Sequence, residues 1–110
     1  MASNYTYSFT EKSSKDLESI LNYISYDLSN AKAASDLFND IFSSIDNICL
    51  FPSSSPILDN KYSINKNIRK KIVNNYSLLY LVNEKEKKII IVRISHTKMN
   101  INEAIKMLDI

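Results

Sequence analysis

The spacing of the apolar residues changes once along this chain, and the change separates a helical part from a stranded part. Up to residue 50 the apolar positions recur at intervals of three and four. Leu17, Ile20, Leu21, Ile24 and Leu28 form one stripe, and Ala34, Leu37, Phe38, Ile41, Ile45 and Ile48 form a second. That interval gathers each set on one side of an α-helix, and a short connection makes the two helices an antiparallel hairpin. Phe51-Pro52-Ser53-Ser54-Ser55-Pro56 then stops the second helix and opens a polar loop. Beyond it, Ile68 to Val73 alternates, while Tyr76 to Val82 and Lys88 to Ser95 are apolar runs of strand length. Asn74-Asn75 and Asn83-Glu84-Lys85-Glu86-Lys87 read as the turns between them.

Two shorter elements flank this frame. Tyr5-Thr6-Tyr7-Ser8-Phe9 alternates and reads as a strand, followed by Thr10 as N-cap and Glu11 in the first helical turn. Asn100 with Glu103 forms a capping box for a C-terminal helix over 101–109 carrying Ile101, Ile105 and Leu108. The order β-α-α-β-β-β-α predicts an α+β fold, an antiparallel sheet with the helical hairpin packed on one face. The other face is expected to be open and to carry the basic residues. At 110 residues the chain is a single domain, its core expected over roughly 5–100.

Composition removes several function classes. The sequence contains no glycine, and the Walker loop, the dinucleotide fingerprint and the nucleophile elbow each need one. One cysteine and one histidine assemble neither a disulfide framework nor a self-contained zinc site. No apolar run approaches the roughly 20 residues of a membrane span, and Met1-Ala2-Ser3-Asn4-Tyr5 is not a basic leader, so a cytoplasmic protein is expected. Charge is divided along the chain. Residues 1–55 hold three bases against seven acids, and residues 56–110 hold eleven bases against five acids. A polyanionic or acidic partner on the basic half accounts for that division, and so do solvated lysines on strand faces.

The residues taken in order resemble the RelE/ParE superfamily of bacterial toxins. The resemblance is carried by Phe9-Thr10, Asp16-Leu17, Ile20, Tyr23-Ile24 and the second helix ending in Leu50-Phe51-Pro52. It continues through Arg69, Asn75-Tyr76, Leu78, Tyr80 and Val82, and through Arg93-Ile94-Ser95-His96-Thr97-Lys98-Met99-Asn100. It implies the toxin of a type II toxin–antitoxin pair, held by a cognate antitoxin protein and needing neither cofactor nor metal. RelE-like members cleave mRNA on the ribosome, whereas ParE-like members block DNA gyrase. A third reading is a toxin fold without activity, retained as an antitoxin-binding module.

Metal-free RNA cleavage requires a general acid or base and cations for the phosphate. His96 is the candidate proton-transfer residue and Arg93 the candidate phosphate clamp, an assignment that favours cleavage by the resemblance. The competing reading of His96 is a residue that merely ends a strand. A regular strand sends residues three apart to opposite faces, so the pair cooperates only if the strand ends or bulges near Ser95. Lys66, Arg69, Lys70, Lys71 and Lys98 are candidate contacts to an RNA backbone, or a solubilising edge. Tyr76 is a candidate for base stacking, or a half-buried sheet aromatic. Where the ribonuclease members carry an Arg after that aromatic, this chain has Ser77. That departure and the length of the hairpin, part of the gyrase-contacting body in ParE-like members, favour gyrase inhibition as the alternative. His96 and the basic second half tip the expectation to RelE-like ribosome-dependent mRNA cleavage, the activity of an endoribonuclease. Cys49 is expected to be a core residue.

Overall fold

A computed structural model describes residues 4–58 and 67–106. The chain runs β1 (Thr6–Phe9), α1 (Glu11–Asn22), a π-helical turn (Tyr23–Asp27) and α2 (Ala31–Leu50). It continues through β2 (Arg69–Val73), β3 (Tyr76–Asn83), β4 (Lys88–His96) and α3 (Ile101–Lys106). Lys66 and Leu108 lie outside the described residues. No helix among the described residues is long and apolar enough to cross a membrane.

The four strands stand in the order β1-β4-β3-β2. The two hairpins make β2, β3 and β4 antiparallel, while β1 adds to β4 in parallel. The antiparallel expectation therefore holds for the meander alone. Hairpin turns dictate direction only for the strands they join, and β1 leads into α1 instead of a hairpin. Without glycine, left-handed backbone among the described residues falls to Ser29, Asn74 and Lys87, each at a φ of 50–55°. Asn74 supplies that conformation in the first hairpin turn, and Ser29 supplies it between the helices.

Both faces of the sheet are covered, in different measure. On one face Leu37, Ile41, Ile45, Ile48 and Cys49 of α2 pack against Val73, Leu78, Tyr80, Ile89, Ile91 and Ile94. Each fully buried isoleucine there contributes about 1.5–3 kcal/mol relative to an exposed one. On the opposite face, expected to be open, Ile105 of α3 joins Ile68, Leu79 and Val92 in a second cluster. The short helix is thus a lid on part of the sheet.

Two members of the helical stripes lie outside the core. Leu28 is 54% exposed because the π-helical turn, with Leu28 N–H donating to the Tyr23 carbonyl at 3.0 Å, inserts one residue and rotates Leu28 off the stripe. Phe38 is 44% exposed and stacks on Phe42, their centroids 4.6 Å apart. With Phe9 and Tyr7 it continues an aromatic row from α2 to the edge strand β1.

Candidate functional site

Strand β4 carries an irregularity that decides where its side chains point. Leu79 pairs with Arg93, yet the next residue, Tyr80, pairs with Ile91, leaving Val92 as an extra residue on β4. This β-bulge shifts the alternation by one. Ile91 and Ile94, three apart, therefore both enter the core under the helical hairpin, while Val92 enters the opposite cluster. The bulge precedes Arg93, and the strand is regular from Arg93 to His96. Arg93 and Ser95 accordingly share the α3 side with Leu79 and Ser77, and His96 shares the hairpin side with Tyr76.

Strand β1 pairs with β4 only as far as Ile91, so the rest of that edge has no strand neighbour. Helix α1 takes over there. The Thr10 N–H donates to the Ile91 carbonyl at 3.0 Å, and the Thr10 hydroxyl caps the helix by accepting the Ser13 N–H at 3.2 Å. The buried Ser13 hydroxyl donates to the Ile91 carbonyl at 2.7 Å. These contacts lay the next turn of α1 along the open edge. Asp16 Oδ2 there accepts the Ile94 N–H at 3.0 Å and the Arg93 Nε–H at 2.8 Å. The third contact of this group is Arg93 Nη1, which donates to the Ala104 carbonyl of α3 at 2.9 Å. Both ionic side chains are about nine-tenths buried, at 9% and 10% exposure. One guanidinium so joins α1, β4 and α3.

Beside this junction is a cavity of about 340 Å³ whose lining includes Asp16, Tyr23, Tyr76, Arg93, His96 and Met99. His96 meets Tyr76 edge-on, with ring centroids 5.3 Å apart at 73°. Its Nδ1 accepts the Lys98 N–H at 3.1 Å, so the neutral ring carries its proton on Nε2. That bond ties the end of β4 to the turn that follows it. Burial, with Tyr23 nearby, pushes the Tyr76 hydroxyl above the usual phenol range, so Tyr76 is a neutral hydrogen-bonding group at physiological pH. Three sequence candidates, Arg93, His96 and Tyr76, therefore line one cavity. Of the residues lining it, Arg93 is the sole Lys or Arg, and it is committed to Asp16.

The remaining candidates do not line this cavity. Arg69 and Lys71 alternate with Lys70 on β2, so the basic triple divides between the two faces of the sheet. Lys98 is exposed in the turn after β4. Ser77 is 1% exposed, directly opposite Ser95, in the layer beneath which α3 packs. Cys49 is buried, and burial followed by the neighbouring Asp46 raises its thiol pKa, as befits a core residue. Among the described residues no three His, Cys, Asp or Glu side chains converge as metal ligands do. Sequence reasoning missed Asp16 as the partner of Arg93. Its one signal was its place in Asp16-Leu17, in the segment that carries the family resemblance.

A family model described as the ParE toxin of type II toxin–antitoxin system, parDE, matches residues 7–101. No curated protein matches the chain. Among solved structures, the fold is similar to a chain of the chromosomal ParDE toxin–antitoxin system from P. aeruginosa, with a TM-score of 0.63 and 19% identity over 84% of this chain and 95% of that one. It is also similar to a chain of the toxin–antitoxin complex RelBE2 from Mycobacterium tuberculosis, with a TM-score of 0.56 and 17% identity over 84% and 96%.

Proposed function

The chain belongs to the ParE toxin family of type II toxin–antitoxin systems, and we propose that it arrests growth by binding DNA gyrase rather than by cleaving mRNA. The observation that carries this reading is the commitment of Arg93. Phosphoryl transfer to a ribose hydroxyl builds negative charge on the phosphate, and a cation that meets that charge contributes a hundredfold or more in rate, roughly. Arg93 instead has its charge neutralised by Asp16 and one further nitrogen on the Ala104 carbonyl. The position of the ribonuclease Arg is a buried serine on the side of the sheet away from His96. Among the residues lining the cavity, His96 and Tyr76 then remain with no uncommitted Lys or Arg beside them.

Inhibition by binding needs a surface instead of a catalytic set. The tip of the helical hairpin offers one, with Tyr23, Tyr26 and Leu28 between 53% and 75% exposed and Phe38 sharing a groove with Tyr26. Aromatic anchors of this kind dominate the energetics of protein interfaces. In this reading they dock on gyrase, and His96 caps a strand.

The test compares two purified assays. Gyrase-driven supercoiling is expected to be inhibited by the chain, with Tyr26→Ala and Phe38→Ala each weakening inhibition about tenfold or more. His96→Ala is expected to leave inhibition and growth arrest intact. Ribosome-programmed mRNA should stay uncut. The His96–Tyr76 contact inside a cavity favours the second reading, cleavage, and mRNA cut by the wild-type chain but not by His96→Ala would establish that reading instead. Inactivity in both assays returns the chain to an antitoxin-binding module.

A further inference from the structure

The sequence has two arginines, and the structure treats them differently. Arg93 is neutralised by Asp16. Arg69, half-buried at the start of β2, has no carboxylate within ion-pair distance among the described residues. Its Nη1 donates to the carbonyl of the buried Ser55, which fixes the plane of the guanidinium, and among the described residues the rest of its donor fork has no partner. A half-buried, unneutralised guanidinium held in one orientation is a pre-organised receptor for an oxyanion, and the planar fork matches a carboxylate in two parallel hydrogen bonds.

The space in front of it suits such a ligand. Arg69 lines a cavity of about 610 Å³ at the end of the sheet remote from His96. Lys85, exposed on the β3–β4 turn, contributes a second cation to the wall, and Ile57, Leu81 and Ile90 contribute apolar surface. Glu84 also borders the cavity, and it forms no ion pair with either cation. The wall is mixed, with Ser53, Asn67 and Asn83 beside the apolar residues, and a planar fork with a second cation at the rim matches the two oxygens of a carboxylate side chain. Residues 56–110 hold eleven bases against five acids, so the long-range field favours an acidic partner as well.

We infer that this cavity seats a carboxylate side chain of the cognate antitoxin, with Arg69 as its fork and Lys85 at its rim. The inference rests on the reading of the chain as an antitoxin-held toxin, and goes beyond it in naming the contact. It concerns a surface separate from the hairpin tip assigned to gyrase, so one toxin has two recognition sites.

The experiment measures affinity for the protein encoded in the adjoining reading frame at two salt concentrations, with melting temperatures of every variant alongside. Arg69→Gln is expected to weaken binding about tenfold to a hundredfold and to flatten the salt dependence. Arg69→Lys keeps the charge and loses the fork, and is expected to recover only part of the loss. Lys85→Glu, on an exposed turn away from the Ser55 contact, is expected to weaken binding several-fold, roughly, mainly through slower association. Unchanged affinity and salt slope in Arg69→Gln overturns the inference. If Arg69→Gln melts early, Lys85→Glu decides, and wild-type affinity in that variant overturns it. Arg69-dependent binding of RNA or inorganic phosphate with antitoxin affinity unaltered also overturns it. Failure of the wild-type chain to bind the neighbouring protein overturns the pairing itself, a result distinct from loss in the variants alone.

Discussion

Asp16 is one of three acids on an amphipathic helix, yet its replacement is expected to be among the most damaging substitutions in the molecule. Its carboxylate satisfies the Ile94 N–H and the Arg93 Nε–H at 3.0 Å and 2.8 Å, and both side chains of the ion pair are about nine-tenths buried. Asp16→Ala would leave the guanidinium of Arg93 desolvated without its counter-charge. Breaking a buried pair on one side costs about 3–5 kcal/mol. At about 2.1 cal/mol/K per residue, a chain of this length has an unfolding entropy of about 0.23 kcal/mol/K near its melting point. The expected fall in melting temperature is therefore about 13–22 °C. Thermal unfolding followed by far-ultraviolet circular dichroism reads the shift. A double-mutant cycle with Arg93→Leu isolates the pair, and the double loss should fall short of the summed single losses by at least about 1 kcal/mol. A fall below about 3 °C in Asp16→Ala, or additive losses in the cycle, would refute the argument that the pair holds the β4 edge to α1.

Two further outcomes rest on burial. Ile105 is fully buried against Ile68, Leu79 and Val92, so Ile105→Ala should cost about 2–4 kcal/mol in urea unfolding, and a silent substitution would mean that α3 is undocked. The Cys49 thiol is held above its ordinary pKa by burial, so it stays protonated, and the native protein should resist alkylation at pH 8 while denaturant makes it react fully. Stoichiometric native labelling would contradict its place in the core.

Much of this architecture could be read from periodicity because each main element has a face to bury. The α2 stripe appears as drawn except at Phe38, and the β2–β3–β4 meander is dictated by its two turns. The features that stayed hidden depend on single residues or on distant ones. The π-helical turn moves Leu28 off its stripe without any proline or glycine to announce it. The direction of β1 is set by packing across the whole domain, and no turn encodes it. Arg93 and Asp16 are separated by 77 residues, and neither residue's neighbours indicate the other. The candidate site was therefore legible as a set of residues and not as an arrangement: His96, Tyr76 and Arg93 do line one cavity, but the cation there is already engaged.

The extra residue at Val92 has a consequence for how such chains are compared. A motif such as Arg93-Ile94-Ser95-His96 is written as a string of letters, but the face it offers a partner depends on the parity of the strand before it. Two proteins with that same string, one with the insertion and one without, would turn opposite chemical faces to the solvent. The letters would align and the surfaces would not. Relatedness in this strand is then a matter of counting residues from the pairing with β3, and a one-residue insertion or deletion upstream separates descendants that share every motif residue.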